Sequence, residues 1–592
     1  MTKSQFKLAN NLQTAHIQYL KTQKQSIELS LIKNKFPKNI LDQFFTFSEI
    51  KFKKLFKTEN EKLKKKFNNL VKTQSVELVD ENYIDNCFTN LTNVEIPKEV
   101  KEIVSLGPNF CTNSLPSKQD VSETIKNVES ALNVLKIEHT QKHSIRHKIV
   151  NHIWGVRNSA THLSKIDRSV REKINVTKEF LKEKNKIFFT MSDKGNRSVC
   201  IEKDVYKQKI GALLNDTSTY VQVKKNPLQK LQKETAKILQ DLYNNEFLDE
   251  KYHERALTLT DTMLAKGYGL VKLLKENHSV RHFISLINSP THKLASLLYN
   301  DLKKAIPKPR SHINNSRDFV SKIKGAKLNN SDMFTSLHVS SLFTNFTCEL
   351  VIKSLEKRAR LIQRKCKIPF DEIIRCTRFL FDNTFFVFNE KFYQQINGCP
   401  MGSPISALFA DIVIEDLEIE CLNKLKKEHK CKITHYYRYV DDTFLIIDKQ
   451  YLDSALMVFN NYDKNLSFTD ELEKDGCLNF LDVTVHKDKN EISTNWYRKE
   501  IASERILHFY SAHPIHHKKN IVYNLTDRAF LLSDKKFHKN NRKIITDLLL
   551  KNKYPLDFIN KQIKTRLRKI SHSESSQSTR SKDNDLNSIG YI

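Results

Sequence analysis

At about 150 residues per domain, the 592-residue chain has room for roughly four domains, which excludes a mini-protein. Its 99 Lys and Arg against 68 Asp and Glu leave a net charge of +31 at pH 7, an excess that predicts a polyanionic partner, most simply nucleic acid, and is silent on fold. The 35 Phe and 19 Tyr exclude wholesale disorder, while only 11 Gly and 13 Pro disfavour a loop-rich chain and leave a largely helical protein with some sheet. Ten cysteines without a CxxC pair argue against a zinc ribbon and against a secreted disulfide framework. The opening MTKSQFKLANNLQ lacks the apolar stretch of a signal peptide, and no run approaches the roughly 18 apolar residues of a spanning helix. The expectation is an intracellular protein of nucleus or cytoplasm with no membrane partner.

Residues 1–180 read as a helical, basic N-terminal region. In the segment 51–71, Phe52, Leu55, Phe56, Leu63, Phe67 and Leu70 recur at spacings near three and four with lysines in the gaps. That face is either a solvated side of a helical bundle or a phosphate-contacting surface. The stretch HSIRHKIVNHIWGVRN (143–158) has the same helical character. Beyond residue 185, short apolar runs such as KIFFTM and SVCIE signal strands, and from 330 to 500 the runs MFTSLHV, FFVF, HYYRYV, TFLIID, LDVTV and STNWY alternate with helices. The polar segment 571–592 holds too few apolar residues to bury itself and is expected to be a disordered tail.

The residues richest in chemistry are Asp441 and Asp442, flanked by aromatic and β-branched runs that predict a hairpin with both acids at its tight turn. Adjacent carboxylates repel unless a cation lies between them and a substrate, so the pair is a candidate divalent-metal site with hard oxygen ligands. Upstream, residues 395–404 precede a helical pattern of Ile405, Leu408, Phe409 and Ile412. There Ser403 is a candidate helix cap, and Gly398 and Gly402 allow backbone to approach a base or nucleotide.

Together these pieces resemble Penelope-like retroelement reverse transcriptases. The resemblance covers about residues 180 to 570 and rests on SDKGNRSVCI (192–201), NDTSTY (215–220), GYGLVK (267–272), INSPTHKLASLL (287–298), SSLFTN (340–345), GCPMGSPISALFADIVIEDLE (398–418), YRYVDDTFLI (437–446), LNFLDVTV (478–485) and RILHFYSAHPIHHKK (505–519), in family order. It implies an α+β right-hand polymerase with fingers over 181–330, a palm with an antiparallel sheet backed by helices over 331–495, and a thumb over 496–570. It also implies an RNA template, a DNA primer, deoxynucleoside triphosphates and Mg2+ or Mn2+ if the protein is active. By the same resemblance Phe343 crowds the sugar 2′ carbon, Lys194, Lys272 and Arg281 hold the triphosphate, and Gly398, Gly402 and Ser403 lie in the motif that contacts template and nucleotide. The GIY-YIG endonuclease found in many family members is not expected here.

One residue departs from the family. Where its members carry the first metal-binding aspartate, this chain has His338, and Asp332, six positions earlier, cannot take the same place on a strand without a large register change. Imidazole lacks a second oxygen to bridge two ions, so the expectation is a degenerate catalytic position with impaired polymerase activity, or a non-catalytic nucleic-acid-binding protein. His508, His513, His516 and His517 have no tetrahedral metal spacing and read as thumb residues. The basic amphipathic run DFINKQIKTRLRK (557–569) suits a duplex backbone.

Overall fold

In the computed structural model, which describes residues 78–112, 118–134, 137–159, 164–250, 262–431 and 433–586, the apolar runs become strands in the expected places. In chain order these are β1 (Phe88–Asn90), β2 (Ile187–Met191), β3 (Ser198–Glu202), β4 (Tyr220–Val223), β5 (Ala265–Val271), β6 (Val280–Ser285), β7 (Asp332–Val339), β8 (Thr384–Phe388), β9 (Lys391–Gln395), β10 (His435–Tyr439), β11 (Asp442–Asp448), β12 (Phe468–Leu472), β13 (Cys477–Phe480), β14 (Val483–Asp488) and β15 (Glu491–Trp496). They assemble into sheets of order β1-β3-β2, β10-β11-β7-β12, β13-β14-β15 and β4-β9-β8-β5-β6.

The antiparallel sheet β10-β11-β7-β12 is covered on both faces, which explains why β11 reads as a continuous apolar run rather than an alternating one. Leu337, Val339, Leu445 and Ile447 pack into a core built by the helices Pro290–Ala305, Cys348–Glu356 and Ser406–Glu428. Phe334, Phe444 and Ile446 point the other way, against Phe319, Phe480 and Trp496 and the helices Ile515–Leu531, His538–Lys551 and Leu556–Leu586. A strand gripped from both sides has little freedom to slip, because a one-residue shift would exchange the two buried sets. The sheet is therefore a rigid base for whatever its ends carry.

The sequence-derived boundaries cut across these sheets. Residues 384–395, inside the segment 331–495 expected to be the palm, form β8 and β9 and pair with β4 and β5 from the segment 181–330 expected to be the fingers. Residues 88–90, inside the expected helical region, add β1 to the edge of β3. In both cases the pairing is non-local, so no local period reveals it. The segment 143–158 is helical as expected, within His139–Ser159, whereas 51–71 lies outside the described residues. The helix Leu556–Leu586 runs through 571–586, expected to be a tail; a helix satisfies its backbone internally, so it can continue beyond a packed start.

Residues 78–112 are also part of this body. Tyr83 donates its buried hydroxyl to Asn552 Oδ1 at 3.0 Å. The Arg505 guanidinium, 6% exposed, donates to the carbonyls of Val104 and Ser105 and to Ser198 Oγ. Arg505 thus ties residues 104–105, β3 and the segment after β15 to one another. Among the described residues no helix is long and apolar enough to cross a membrane.

Candidate active site

β7 and β11 run antiparallel with His338 directly opposite Asp442, and β10 returns so that Tyr439 faces Asp442 across a two-residue turn of Val440 and Asp441. The hairpin predicted from the sequence is present, with one refinement: Asp441 occupies the turn and Asp442 is the first residue of β11. His338 Nδ1 lies 2.7 Å from Asp442 Oδ1 and 3.9 Å from Asp441 Oδ2, and the three side chains remain open to solvent. One ligand atom from each falls within 4.8 Å of the others. Asp332 pairs with Asp448 at the far end of the strand, as the spacing required.

The turn is strained and held. Val440 adopts φ +56°, a left-handed conformation that a β-branched side chain resists at a cost of about 1–3 kcal/mol. What holds it is Arg438, which sequence reasoning missed. This residue is 1% exposed; it donates from Nη1 to the Val440 carbonyl at 3.0 Å and to Asp411 Oδ1 at 2.9 Å, and from Nε to Glu418 Oε1 at 2.6 Å. Both acids project from the helix Ser406–Glu428, so the guanidinium welds that helix to the turn bearing Asp441. Burial pushes the Glu418 carboxyl up, and the Arg438 charge works against that rise.

Charges around the site act on one another. The hydrogen bond to Asp442 raises the His338 pKa above its ordinary 6.5, against burial, which lowers it, and with added pull from both aspartate charges. Burial first, and then the Asp442 charge, raise the Asp441 carboxyl. Since the folded value of His338 stands above the unfolded one, the pair contributes stability that is fully present below the ordinary value and is lost as pH rises through the raised one. In the metal-free protein the His338 ring resonances are expected to titrate above 6.5 by NMR, and Asp442→Asn should move that midpoint down.

The basic residues expected at the triphosphate gather close by. Lys194 is near enough to act electrostatically on His338, and Arg281 on Asp441. Lys272 has its pKa lowered by burial and then by the Arg281 charge. Asp193, which the sequence did not single out, pairs with Arg281 at 3.4 Å and sets the guanidinium's position.

The 398–404 segment is held by close backbone packing. Gly398 has φ +72°, and a Cβ there would lie 2.5 Å from Thr344 Cα; the Cys399 amide donates to the Phe343 carbonyl at 2.6 Å. Gly402, at φ +146°, presses against the Ile284 carbonyl of β6. Their freedom is spent on backbone packing that joins the turn after β7 to the hairpin carrying Arg281. Ser403 is not the helix cap: the helix begins at Ser406 after Ile405, two residues later than the pattern suggested, and Ser406 Oγ donates to the Pro400 carbonyl at 2.9 Å. Phe343 is partly buried against the main core. His508 is buried, donating from Nε2 to the Leu78 carbonyl at 3.0 Å and accepting the Tyr510 amide at Nδ1; burial pushes its pKa down to about 4, so it acts as a structural linker.

Residues 273–474 match the family described as reverse transcriptase (RNA-dependent DNA polymerase). The chain carries a reverse-transcriptase domain. The matched residues contain both glycine turns, the His338–Asp441–Asp442 cluster and the whole sheet β10-β11-β7-β12. Residues 505–564 match the family described as animal helix-turn-helix domain. The chain is 30% identical over 133 residues to the telomerase reverse transcriptase of Oxytricha trifallax; the match covers 20% of this chain and 12% of that much longer protein. Among solved structures it is similar to a telomerase from Candida albicans with a fragment of telomeric RNA (12% identity, 69% of each chain, TM-score 0.43) and to an apo telomerase from Candida tropicalis (10% identity, 84% and 82% of the two chains, TM-score 0.41).

Reverse-transcriptase domains generally use divalent metals, and the two aspartates are suited to one. A bridged pair of Mg2+ ions is another matter. It calls for a further oxygen-bearing acid beside Asp441 and Asp442, and at that point β7 offers a single imidazole nitrogen. The donor set does not fit the pair.

Proposed function

We propose that the protein is an RNA-directed DNA polymerase of Penelope-like retroelement origin that grips an RNA template and DNA primer but is impaired in Mg2+-dependent nucleotidyl transfer. The observation that carries this reading is His338 opposite Asp442, the position at which the resembled family has an acid. In this reading Lys194, Lys272 and Arg281 hold the triphosphate of a deoxynucleotide, since Lys and Arg pair well with phosphate. Phe343 lies beside its sugar, and the loop 398–404 faces template and nucleotide. A second reading, a non-catalytic nucleic-acid-binding protein, is favoured by the 2.7 Å hydrogen bond that engages Asp442; it differs in predicting no extension with Mn2+ as well as with Mg2+.

The grip has a candidate surface in the helices after residue 515. A groove of about 680 Å3 is lined by Arg542, Lys564 and Arg568 with Asn560, Ile563, Leu567 and Ser571. Each lysine or arginine that neutralises a phosphate releases counterions and adds about −0.9 to the slope of log affinity against log salt on duplex. Binding of a labelled RNA–DNA template–primer in chelator should weaken steeply with salt, and Lys564→Ala with Arg568→Ala should flatten the slope by about 2. Binding that ignores salt would remove the proposed grip.

A further inference from the structure

We propose that His338, Asp441 and Asp442 form a binding site for one borderline transition-metal ion, of the Mn2+, Co2+ or Zn2+ class, in preference to Mg2+. The inference rests on the polymerase reading for the site's purpose, but its geometry and chemistry stand on these three residues. Their nearest ligand atoms already lie within 4.8 Å of one another, with His338 Nδ1 at 2.7 and 3.9 Å from the two carboxylates. An ion with ligands at about 2.0–2.2 Å needs them roughly 3–3.5 Å apart, so small side-chain rotations complete the shell. All three side chains face solvent, which leaves room for waters and an entry path.

The donor set decides which ion. Two carboxylates supply a charge of −2 that any divalent cation accepts. A neutral imidazole nitrogen discriminates, because Mg2+ demands oxygen ligands in near-ideal octahedral geometry, whereas Zn2+, Co2+ and, less strongly, Mn2+ gain from a nitrogen ligand. Imidazole presents one lone pair at Nδ1 and cannot bridge two ions, so the expected occupancy is one. The platform is stiff: β7 and β11 are locked in register, and the Arg438 guanidinium fixes the turn that carries Asp441. A stiff site holds its ligand spacing in the empty state, which favours selectivity by ligand type over adaptation to whatever ion is present.

The test uses the full chain stripped with chelator and titrated separately with MgCl2, MnCl2 and ZnCl2, with binding heat and the free-Mn2+ electron paramagnetic resonance signal as readouts. One Mn2+ per chain should be lost in both His338→Ala and Asp442→Asn, and Mn2+ should bind about tenfold or more tighter than Mg2+. His338→Asp should shrink that ratio by a similar factor, whatever zinc the other histidines take up. As a check that needs no variant, substoichiometric Mn2+ should selectively broaden the His338 resonances of histidine-labelled protein. Equal affinity for Mg2+ and Mn2+, unchanged Mn2+ uptake in His338→Ala, or unbroadened His338 resonances would overturn the proposal. Template–primer binding is measured in chelator, so loss of the metal site and loss of the polymerase reading are separate results.

Discussion

Primer extension in Mg2+ is expected to rise by roughly two orders of magnitude in His338→Asp relative to the native chain, equivalent to about 3 kcal/mol of transition-state stabilisation. Asp442 stands opposite position 338 on a fixed register, and Asp441 is 3.9 Å from the same side chain, so a carboxylate at 338 would enter an arrangement already built for it. The gain has a definite chemical origin. Two-metal phosphoryl transfer needs anionic oxygens that bridge the ion at the primer hydroxyl and the ion at the triphosphate, and the native chain offers two such acids. The substitution also removes the imidazole that now occupies Asp442 Oδ1. The strand is untouched, since residue 338 is exposed between buried Leu337 and Val339. Stability should change little, apart from the pH-dependent contribution of the lost pair.

The second large effect belongs to Arg438. Arg438→Met is expected to lower unfolding stability by about 3–5 kcal/mol, because breaking a buried ion pair leaves charge without a partner. Asp411 and Glu418 would both lose their guanidinium, and the Val440 carbonyl would lose its donor. A control separates charge from packing: Arg438→Met combined with Glu418→Leu should recover part of the melting temperature, since an apolar replacement of both partners avoids the uncompensated acid. Activity supplies an independent reading. In the His338→Asp background, Arg438→Met should abolish the gained extension below the melting transition, because the strained turn would relax and carry Asp441 away.

Much of the site was legible because its signals are local. Aromatic and β-branched runs on either side of Asp441 and Asp442 announce a hairpin by composition and turn position, and the hairpin formed with only a one-residue refinement. His338 was legible as a departure from a family pattern, and its register opposite Asp442 agrees with that position. What stayed hidden is held by contacts distant in sequence. Arg438 looks like any charged residue in a strand until the helix 20 positions upstream brings Glu418 to its Nε. Asp193 reads as a surface turn until Arg281 approaches. Ser403 met every local rule for a cap, yet the loop continues through further turns and the helix begins only at Ser406, after Ile405. The sheet joining β4, β5 and β6 to β8 and β9 escaped for the same reason: strand pairing leaves no periodic trace in either partner's sequence.

The most direct measurement is single-turnover addition of one deoxynucleotide by the native chain, pre-bound to a labelled RNA template and DNA primer and started with Mg2+. The account predicts a well-occupied complex in which almost no primer lengthens over many minutes. Prompt, near-complete extension from that complex would contradict it, because an imidazole at 338 would then be no obstacle to magnesium-dependent chemistry.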